Sequence, residues 1–411
     1  TINVTGSGAG IAARGTDKNV KQNYGTDVQS PLTSNTIEID NHGTLNVAGS
    51  SPIGIYADNN TRAARAKVVV KNDAQLTVGT DGVGIAVMAS PVETGQTQNG
   101  VSVSGVDHGA GSNQGGTITV TATGTGSDII TGVNGKGIYA QNSDINLMGG
   151  DYVIETKEGG IGIFASGNTN VTGPLEYKYN GSTTGTGMGI VYDQIGAATH
   201  TNNADVKLTN TTNTTGGMVG VYTTAGAGNT LTNNGDITGS STALEFGIVS
   251  DGADVINNKT ITLGNAASQT DANVGIYSKA KNTITNNDKV TVGDNAIGIY
   301  GYNVNNNKDI KAGDNGVAIY TQGSGTPSTT VNLNSGSTIT VGKNQAVGVY
   351  AVGSGQNINA NTGSSMTIGD NSFGIVNVGS GNTVTSNTTN PVTLGTDAVY
   401  IYQNDNTGHV F

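Results

Sequence analysis

The repeat unit of this chain is clearest in the stretch Val290-Thr291-Val292-Gly293-Asp294-Asn295-Ala296-Ile297-Gly298-Ile299-Tyr300. Two runs typical of β-strands flank a Gly-Asp-Asn turn, and the unit ends in an aromatic residue. The unit recurs with drift at 310–320, 340–350 and 367–376. Repetition of this kind within one sequence is the signature of a repeat architecture.

The aromatic end of the unit marks about fourteen copies along the sequence. The marked positions are Ala13, Tyr56, Val87, Tyr139, Phe164, Tyr192, Tyr222, Val249, Tyr277, Tyr300, Tyr320, Tyr350, Val376 and Tyr402. Most steps between them span about 20 to 31 residues, and the two longer steps end at Tyr56 and Tyr139. A propeller blade needs about 40 to 50 residues for its four strands. The short steps therefore favour an all-β fold, a β-solenoid of about 14 coils with one coil per repeat.

A second motif precedes the unit, as in Asn282-Thr283-Ile284-Thr285-Asn286. Each coil is therefore predicted to hold three short strands, here around Ile284, at 290–292 and at 297–300. Alternation with period 2 predicts which side chains fill the interior. The predicted inward residues are Ile284, Val290, Val292, Ile297 and Ile299, and the predicted outward residues are Gly298 and Tyr300.

The composition agrees with this fold and argues against several other classes. Glycine accounts for 65 of 411 residues, and charged residues make up 11%, less than half of the usual share of about 25%. No apolar run is long enough to predict a transmembrane helix. The absence of cysteine removes disulfides and thiolate metal sites. The net charge of -11 argues against nucleic acid as a partner.

We expect residues 1–411 to form one continuous β-solenoid, and the chain to be a segment of a longer protein because it starts and stops within the repeat pattern. Two stretches interrupt the period, 14–35 and 90–116, and they are predicted to be protruding loops or irregular coils. Insertions in repeat proteins map to loops on one face, often the binding face. The second stretch also fits one weak coil, since Val101-Ser102-Val103 alternates.

The outward tyrosines are the first candidate ligand-binding surface. A flat aromatic face beside a glycine can stack on a sugar ring, because the ring offers apolar area and a polar edge. The alternative is an aromatic ladder that shields the glycine-weakened third strand. The candidate residues are Tyr56, Tyr139, Tyr192, Tyr222, Tyr277, Tyr300, Tyr320 and Tyr350.

A basic cluster in the N-terminal part of the chain is the second candidate. Arg62, Arg65 and Lys67 lie close together in sequence, and Lys71 follows them. Such a cluster can attract an acidic partner or a glycan. The alternative is a solvated edge with no ligand.

The turn aspartates are the candidates for metal binding. Asp294, Asp314 and Asp370 recur at one turn, and stacked carboxylates could offer the six to eight oxygens that Ca²⁺ requires. Asn265 and Asn344 occupy the same turn in other copies, and the calcium-solenoid pattern G-G-x-G-x-D is absent. We therefore expect these residues to shape turns, with no metal or cofactor bound.

Catalysis is not predicted. Parallel β-helices can host polysaccharide-degrading enzymes, whose sites use paired carboxylates at a defined separation. The acidic residues here are scattered, and the four histidines lie far apart in sequence. No arrangement resembling a hydrolase nucleophile elbow follows a strand.

Several copies share a glycine, an aliphatic residue and a tyrosine in succession. Examples are Ile53-Gly54-Ile55-Tyr56-Ala57, Gly137-Ile138-Tyr139-Ala140, Val274-Gly275-Ile276-Tyr277-Ser278 and Ala296-Ile297-Gly298-Ile299-Tyr300-Gly301, and a related run is Asn233-Asn234-Gly235-Asp236-Ile237. These units resemble the repeats of the large autotransporter adhesins of fusobacteria and their relatives. The resemblance covers most of the chain and concerns a style of repeat.

The resemblance implies a passenger segment of a type V (Va) secreted protein, folded as a single-stranded right-handed parallel β-helix. It also implies display at the cell surface, on the outer membrane, through a barrel domain absent from this chain. Its partners would be a host-cell surface protein or glycan, or a partner bacterium, contacted through loops on the β-helical rod. Two alternatives stay open: a purely structural stalk that presents a distal tip domain, and a β-helical polysaccharide lyase or hydrolase.

Overall fold

The chain is an all-β parallel β-solenoid of about 12 turns, with no helix among its described residues. This computed structural model describes residues 1–5, 8–14, 36–59, 67–89, 115–182, 185–193, 199–211, 217–239, 244–323, 325–326 and 328–404. Within them no helix could span a membrane. Two compact units divide the chain, unit 1 with Thr1–Glu176 and Asp193–Ala197 and unit 2 with Tyr177–Tyr192 and Ala198–Phe411.

Strands of unit 1 fall into three columns, named A, B and C in the order in which the chain passes through them. Column A contains β3 (Thr36–Asn41), β6 (Lys67–Asn72), β9 (Gly116–Thr121) and β12 (Ser143–Met148). Column B contains β1 (Ile2–Thr5), β4 (Leu45–Ala48), β7 (Leu76–Val78), β10 (Ile129–Thr131) and β13 (Tyr152–Thr156). Column C contains β2 (Ala9–Arg14), β5 (Ile53–Asp58), β8 (Val83–Met88), β11 (Lys136–Gln141) and β14 (Ile161–Ser166). The strand β15 (Val171–Tyr179) begins in unit 1 and ends in unit 2.

Unit 2 likewise has three columns, which carry the same letters within that unit, and the long strand β17 (Thr199–Asn210) runs through its columns A and B. Column A of unit 2 also contains β19 (Thr230–Asn233), β22 (Asp254–Asn257), β25 (Thr283–Asn286), β28 (Asn303–Asn306), β31 (Thr329–Leu333), β34 (Gln356–Ala360) and β37 (Thr383–Ser386). Column B of unit 2 also contains β20 (Ile237–Gly239), β23 (Ile261–Leu263), β26 (Val290–Val292), β29 (Ile310–Ala312), β32 (Thr338–Val341), β35 (Ser365–Ile368) and β38 (Val392–Leu394). Column C contains β16 (Thr186–Asp193), β18 (Gly217–Thr223), β21 (Glu245–Ser250), β24 (Val274–Ser278), β27 (Ile297–Gly301), β30 (Val317–Gln322), β33 (Val347–Val352), β36 (Phe373–Val378) and β39 (Val399–Asn404).

The coil that contains the quoted stretch follows the prediction at most of its positions. Its strands are β25, β26 and β27, and the side chains of Ile284, Val290 and Ile299 are fully buried. Ile299 pairs in register with Ile319 of the next coil, so the same aliphatic position stacks layer on layer. Burial of such columns stabilises the fold by about 25 cal/mol per Å² of apolar surface.

The prediction for Ile297 and Gly298 is wrong. Ile297 lies on the outer side and is only partly covered, whereas Gly298 faces the interior and is buried. Gly298 and Ile299 are buried in succession, so the strict alternation shifts by one residue at the glycine. A Cβ atom on Gly298 would lie 2.5 Å from the backbone oxygen of Ala318 in the next coil and 2.7 Å from Cγ2 of Ile310. Glycine is therefore favoured here because the backbone of the next coil approaches this position closely.

Two stretches expected to be irregular lie almost wholly outside the described residues, at 15–35 and 90–114. Their described ends belong to strands, since Arg14 ends β2 and Gly116 begins β9. The second stretch lies between β8 and β9 in sequence, and β8 pairs directly with β11, the next strand of column C. The ladder of column C therefore passes from β8 to β11 without an intervening strand.

Asparagine forms a hydrogen-bonded ladder inside unit 2, which was not among the predictions from the sequence. The amide of Asn233 donates to Oδ1 of Asn257 at 2.9 Å, and Asn257 donates to Asn286 at the same distance. Asn202 precedes this series and Asn306 ends it. All five side chains are fully buried. Each buried amide thus obtains the partners that a polar group in the interior requires.

A second ladder runs along the outside of unit 2, one residue further along each coil. Its amides are linked by hydrogen bonds of 2.7–3.1 Å between successive coils. The members are Asn203, Asn234, Asn258, Asn287, Asn307, Asn334 and Asn361. Buried and exposed amides therefore stack side by side, which offers a matched pair for testing what burial contributes.

We expect Asn257→Ala to lower the free energy of unfolding by about 2–4 kcal/mol, because the change leaves buried hydrogen-bonding groups of Asn233 and Asn286 without partners. Chemical unfolding of the full chain, followed by circular dichroism, measures this loss. The matched control is Asn258→Ala, which breaks two ladder bonds that water can replace, and it should cost less than about 1 kcal/mol. Equal losses for the two variants would show that the interior ladder contributes no more to stability than the exterior one.

Candidate functional site

The tyrosine column lies on the outer side of column C, but its register differs from the prediction at three positions. Ala12, rather than Ala13, pairs with Tyr56. Tyr56 in turn pairs with Ala86 rather than with Val87. A slip of one residue transfers a side chain to the other face of a strand, so Ala13 and Val87 do not belong to the outer column.

Tyr192 is the third correction. Val191, not Tyr192, pairs with Tyr222, and the Tyr192 side chain is 1% exposed. Its hydroxyl donates to the carbonyl oxygen of Thr201 at 3.2 Å, and its ring stacks on His200. Tyr192 is therefore a residue of the interior, and burial raises its pKa above the ordinary value. Val191 lies two residues after the strand glycine Gly189, the same spacing as that of Tyr300 after Gly298. This spacing would have identified Val191 as the outward residue.

Four tyrosines of unit 2 form a continuous row, the tyrosine quartet, made of Tyr277, Tyr300, Tyr320 and Tyr350. The ring centroids of successive members are 5.0, 4.7 and 5.6 Å apart. The planes of Tyr300 and Tyr320 differ by only 12°, so these two rings stack face to face. All four side chains are partly exposed. Burial and the neighbouring phenols raise the pKa of Tyr300 above 10.0.

In unit 1, Tyr139 stacks on Phe164 of the next coil, with centroids 5.4 Å apart and planes 6° from parallel. Tyr56 instead donates its hydroxyl hydrogen to Asp58 at 3.0 Å, and Arg14 contacts the same carboxylate at 3.3 Å. The faces of closely stacked rings lie against each other. A ligand would therefore meet their edges and hydroxyl groups, and aromatic stacking on a sugar would need an uncovered face.

Tyr222 belongs to a charged contact in unit 2. Its hydroxyl donates to Asp251 at 2.6 Å, and Lys279 lies 2.6 Å from the other oxygen of that carboxylate. The Lys279 ammonium also lies 4.9 Å from the centre of the Tyr222 ring, a cation–π distance. Tyr222 thus lies beside one acidic and one basic side chain, and the three residues belong to three successive coils.

The basic cluster is described only in part. Arg62 and Arg65 lie outside the described residues. Lys67 begins β6 and its side chain is exposed, and Lys71 pairs with Glu38 at 2.6 Å. An exposed pair of this kind contributes little to stability.

The turn aspartates form a ladder of backbone hydrogen bonds. Oδ1 of Asp294 accepts the N–H of Asp314 at 2.8 Å, and Oδ1 of Asp314 accepts the N–H of Lys343 at 2.8 Å. The next residue in the turn, Asn295, has a φ of 56°, a conformation that asparagine tolerates well. Each carboxylate therefore secures the turn of the following coil, which is the role that the sequence predicts for these residues.

Groups that could hold a metal ion are absent from the described parts of both units, where no cluster of three or more His, Asp or Glu side chains occurs. The buried carboxylate of Asp128 accepts the backbone N–H of Thr123 at 2.7 Å and that of Val153 at 2.8 Å. His42 contacts Asp73 at 2.8 Å on the surface, and this hydrogen bond raises its pKa above 6.5. The Asp128 carboxylate therefore holds backbone groups in place, and His42 forms a surface hydrogen bond with Asp73.

Comparison with family models, curated proteins and solved structures finds no match for this chain.

Alkaline titration tests the geometry of the tyrosine quartet. Burial, and then the neighbouring phenol, raises the pKa of Tyr300 and Tyr320. An unfolded phenol ionises near pH 10 while the folded one keeps its proton. The contribution of these two phenols to the free energy of unfolding is therefore complete below about pH 10. It is lost as the pH rises through their pKa in the folded chain.

We expect the free energy of unfolding to fall above about pH 10, with a shallower fall in the double variant Tyr300→Phe/Tyr320→Phe. Urea unfolding across this range measures both slopes, and the comparison with the parent chain removes the common contribution of lysines. Tyr402→Phe is the control, because Tyr402 lies outside the quartet and is 46% exposed. Identical slopes for all three proteins would contradict the coupling within the quartet.

Proposed function

We propose that this chain is a segment of a surface-displayed adhesin passenger, which binds a receptor or glycan on a host cell or on another bacterium. The proposal includes a right-handed coil, about 14 coils and three short strands in each. The observation that carries it is the in-register stacking of short coils, as at Ile299 and Ile319. A fold in which each coil contacts only its neighbours can be extended by further coils and presents a large lateral surface.

The outward residues of the coils support a binding role that does not depend on charge. In column B of unit 2, threonines face outward in pairs on either side of Lys311, with Thr262 paired to Thr291 and Thr340 paired to Thr367. The exterior asparagine ladder adds uncharged amides to the same surface. Such groups can form hydrogen bonds with the hydroxyl groups of a glycan.

The stretch 90–114 is the first segment to test as a contact region. It lies in sequence between β8 and β9, whereas β8 pairs directly with β11 of the next coil, and a long insertion between adjacent coils is a common location for a binding loop. The resemblance of the repeats to fusobacterial autotransporter adhesins also favours this function and localisation at the outer-membrane surface. No enzymatic activity, cofactor or nucleic-acid partner is part of the proposal.

The test uses the full chain coupled to beads and exposed to host epithelial cells, to bacterial cells and to an array of glycans and surface proteins. We expect saturable binding to at least one of these targets. A variant with 90–114 replaced by a glycine-serine linker of the same length should lose this binding while keeping its circular dichroism spectrum. A second linker replacement of 240–243 serves as the control and should bind like the parent chain.

The outcomes separate the three functions. Absence of binding by the parent chain on every target would contradict the adhesin proposal and favour a stalk. Unchanged binding after replacement of 90–114 would place the contact on the coils instead. Release of shortened glycan products during the same incubation would favour a polysaccharide-degrading enzyme.

A further inference from the structure

The tyrosine quartet brings together phenols that are distant in sequence, on coils that are fixed relative to each other by backbone pairing. Tyr300 pairs in register with Tyr320, and Tyr320 pairs with Tyr350. The closest rings, those of Tyr300 and Tyr320, have centroids 4.7 Å apart. A further phenol, that of Tyr302, lies near enough to raise the pKa of Tyr300. No other described part of the chain assembles as many ring contacts between phenols.

The composition makes tyrosine the preferred target of one-electron oxidation in this chain. The chain contains no tryptophan and no cysteine, the other side chains that give up a single electron readily. Five methionines are present, but a methionine is oxidised to its sulfoxide by gain of an oxygen atom. A tyrosyl radical formed in the row therefore has a second phenol beside it and no better reductant in the same chain.

We propose that the tyrosine quartet is an oxidative modification site, at which a haem peroxidase with hydrogen peroxide joins Tyr300 to Tyr320 as dityrosine. Each phenol loses one electron and one proton to give a tyrosyl radical. The two radicals then form a carbon–carbon bond between the ring positions next to the hydroxyl groups, and the two ring hydrogens at those carbons leave as protons while the phenols are restored. Overall, two tyrosines and one hydrogen peroxide give one dityrosine and two waters.

The geometry favours a bond within the chain over a bond between chains. Backbone pairing of β27 and β30 holds the two rings side by side, so the effective concentration of one phenol near the other is very high. Both residues are partly exposed, so solvent reaches them, and water can serve as the proton acceptor. The new bond would link two successive coils covalently, as a disulfide does in a protein that contains cysteine.

This inference does not depend on the proposed adhesin function, since it rests on the quartet alone. The experiment treats the full chain, at low protein concentration, with a haem peroxidase and limiting hydrogen peroxide. Dityrosine fluorescence measures the yield, a denaturing gel separates products within one chain from those between chains, and peptide mass spectrometry identifies the joined residues by the loss of two hydrogens.

We expect a fluorescent product that migrates as a single chain and contains the peptides of Tyr300 and Tyr320. Tyr300→Phe and Tyr320→Phe keep the stacked rings but remove a phenol, so each should lose this cross-linked peptide. Tyr402→Phe is the matched control, because Tyr402 is 46% exposed and its ring contacts Phe373 rather than a tyrosine. Its yield should equal that of the parent chain.

Two results would overturn the inference. One is a dityrosine yield that follows exposure, with Tyr402 as the main site and cross-linked dimers as the main product. The other is an unchanged yield of the intramolecular product in both Tyr300→Phe and Tyr320→Phe. Circular dichroism of each variant before oxidation establishes that the comparison is made between folded proteins.

Discussion

Parallel pairing in register is the constraint on which the rest of this structure depends. Each strand pairs with strands of the same column in the coils before and after it, as β27 does with β24 and β30. Every side chain therefore lies directly above and below the side chains at the same position in other coils. A residue type is compatible with a position only if its side chain can stack on an identical or chemically similar side chain in the adjacent coils. The sequence repeats because its side chains must satisfy this condition.

Different chemistries meet this condition in different ways. Isoleucine and valine stack as continuous apolar columns, and asparagine stacks by passing a hydrogen bond from each amide to the next. Like charges in adjacent strands repel each other, which explains why few charged residues occur. Where charges do stack, the contact is balanced: Lys71 lies beside Glu38, and the Asp294 carboxylate accepts a backbone N–H from the turn of the next coil. Aromatic rings stack on the outer side of column C.

The sequence predicts the columns well because parallel pairing in register requires similar residues to recur once in each coil, and this recurrence is visible as the repeat. The strands around Ile284, at Val290–Val292 and at Ile297–Gly301 follow from alternation and turn residues alone. The buried asparagines were predictable as well, since Asn233 lies two residues after the buried Leu231 and alternation places both on the inner face.

Other features depend on packing that the period does not encode. Gly298 is buried where the backbone oxygen of Ala318 leaves no room for a Cβ atom, and the alternation that had placed Ile297 inside shifts by one residue there. Tyr192 follows a valine that takes the outer position, so its aromatic character alone misled the prediction. The ligand-binding role of the outer residues could not be derived from repetition, because the same exposed tyrosines and threonines serve both a stacked ladder and a recognition surface.

Cysteine cross-linking tests the central claim most directly, and the chain has no cysteine of its own to interfere. Thr291 and Lys311 face outward and are paired in register, so their Cα atoms should lie about 4.8 Å apart, within the range of a disulfide. We expect Thr291→Cys/Lys311→Cys to form an intramolecular disulfide on mild oxidation. Thr291→Cys/Thr340→Cys, with the cysteines two coils and about 10 Å apart, should remain reduced. Equal oxidation of both pairs, or of neither, would contradict the stacking of one coil on the next.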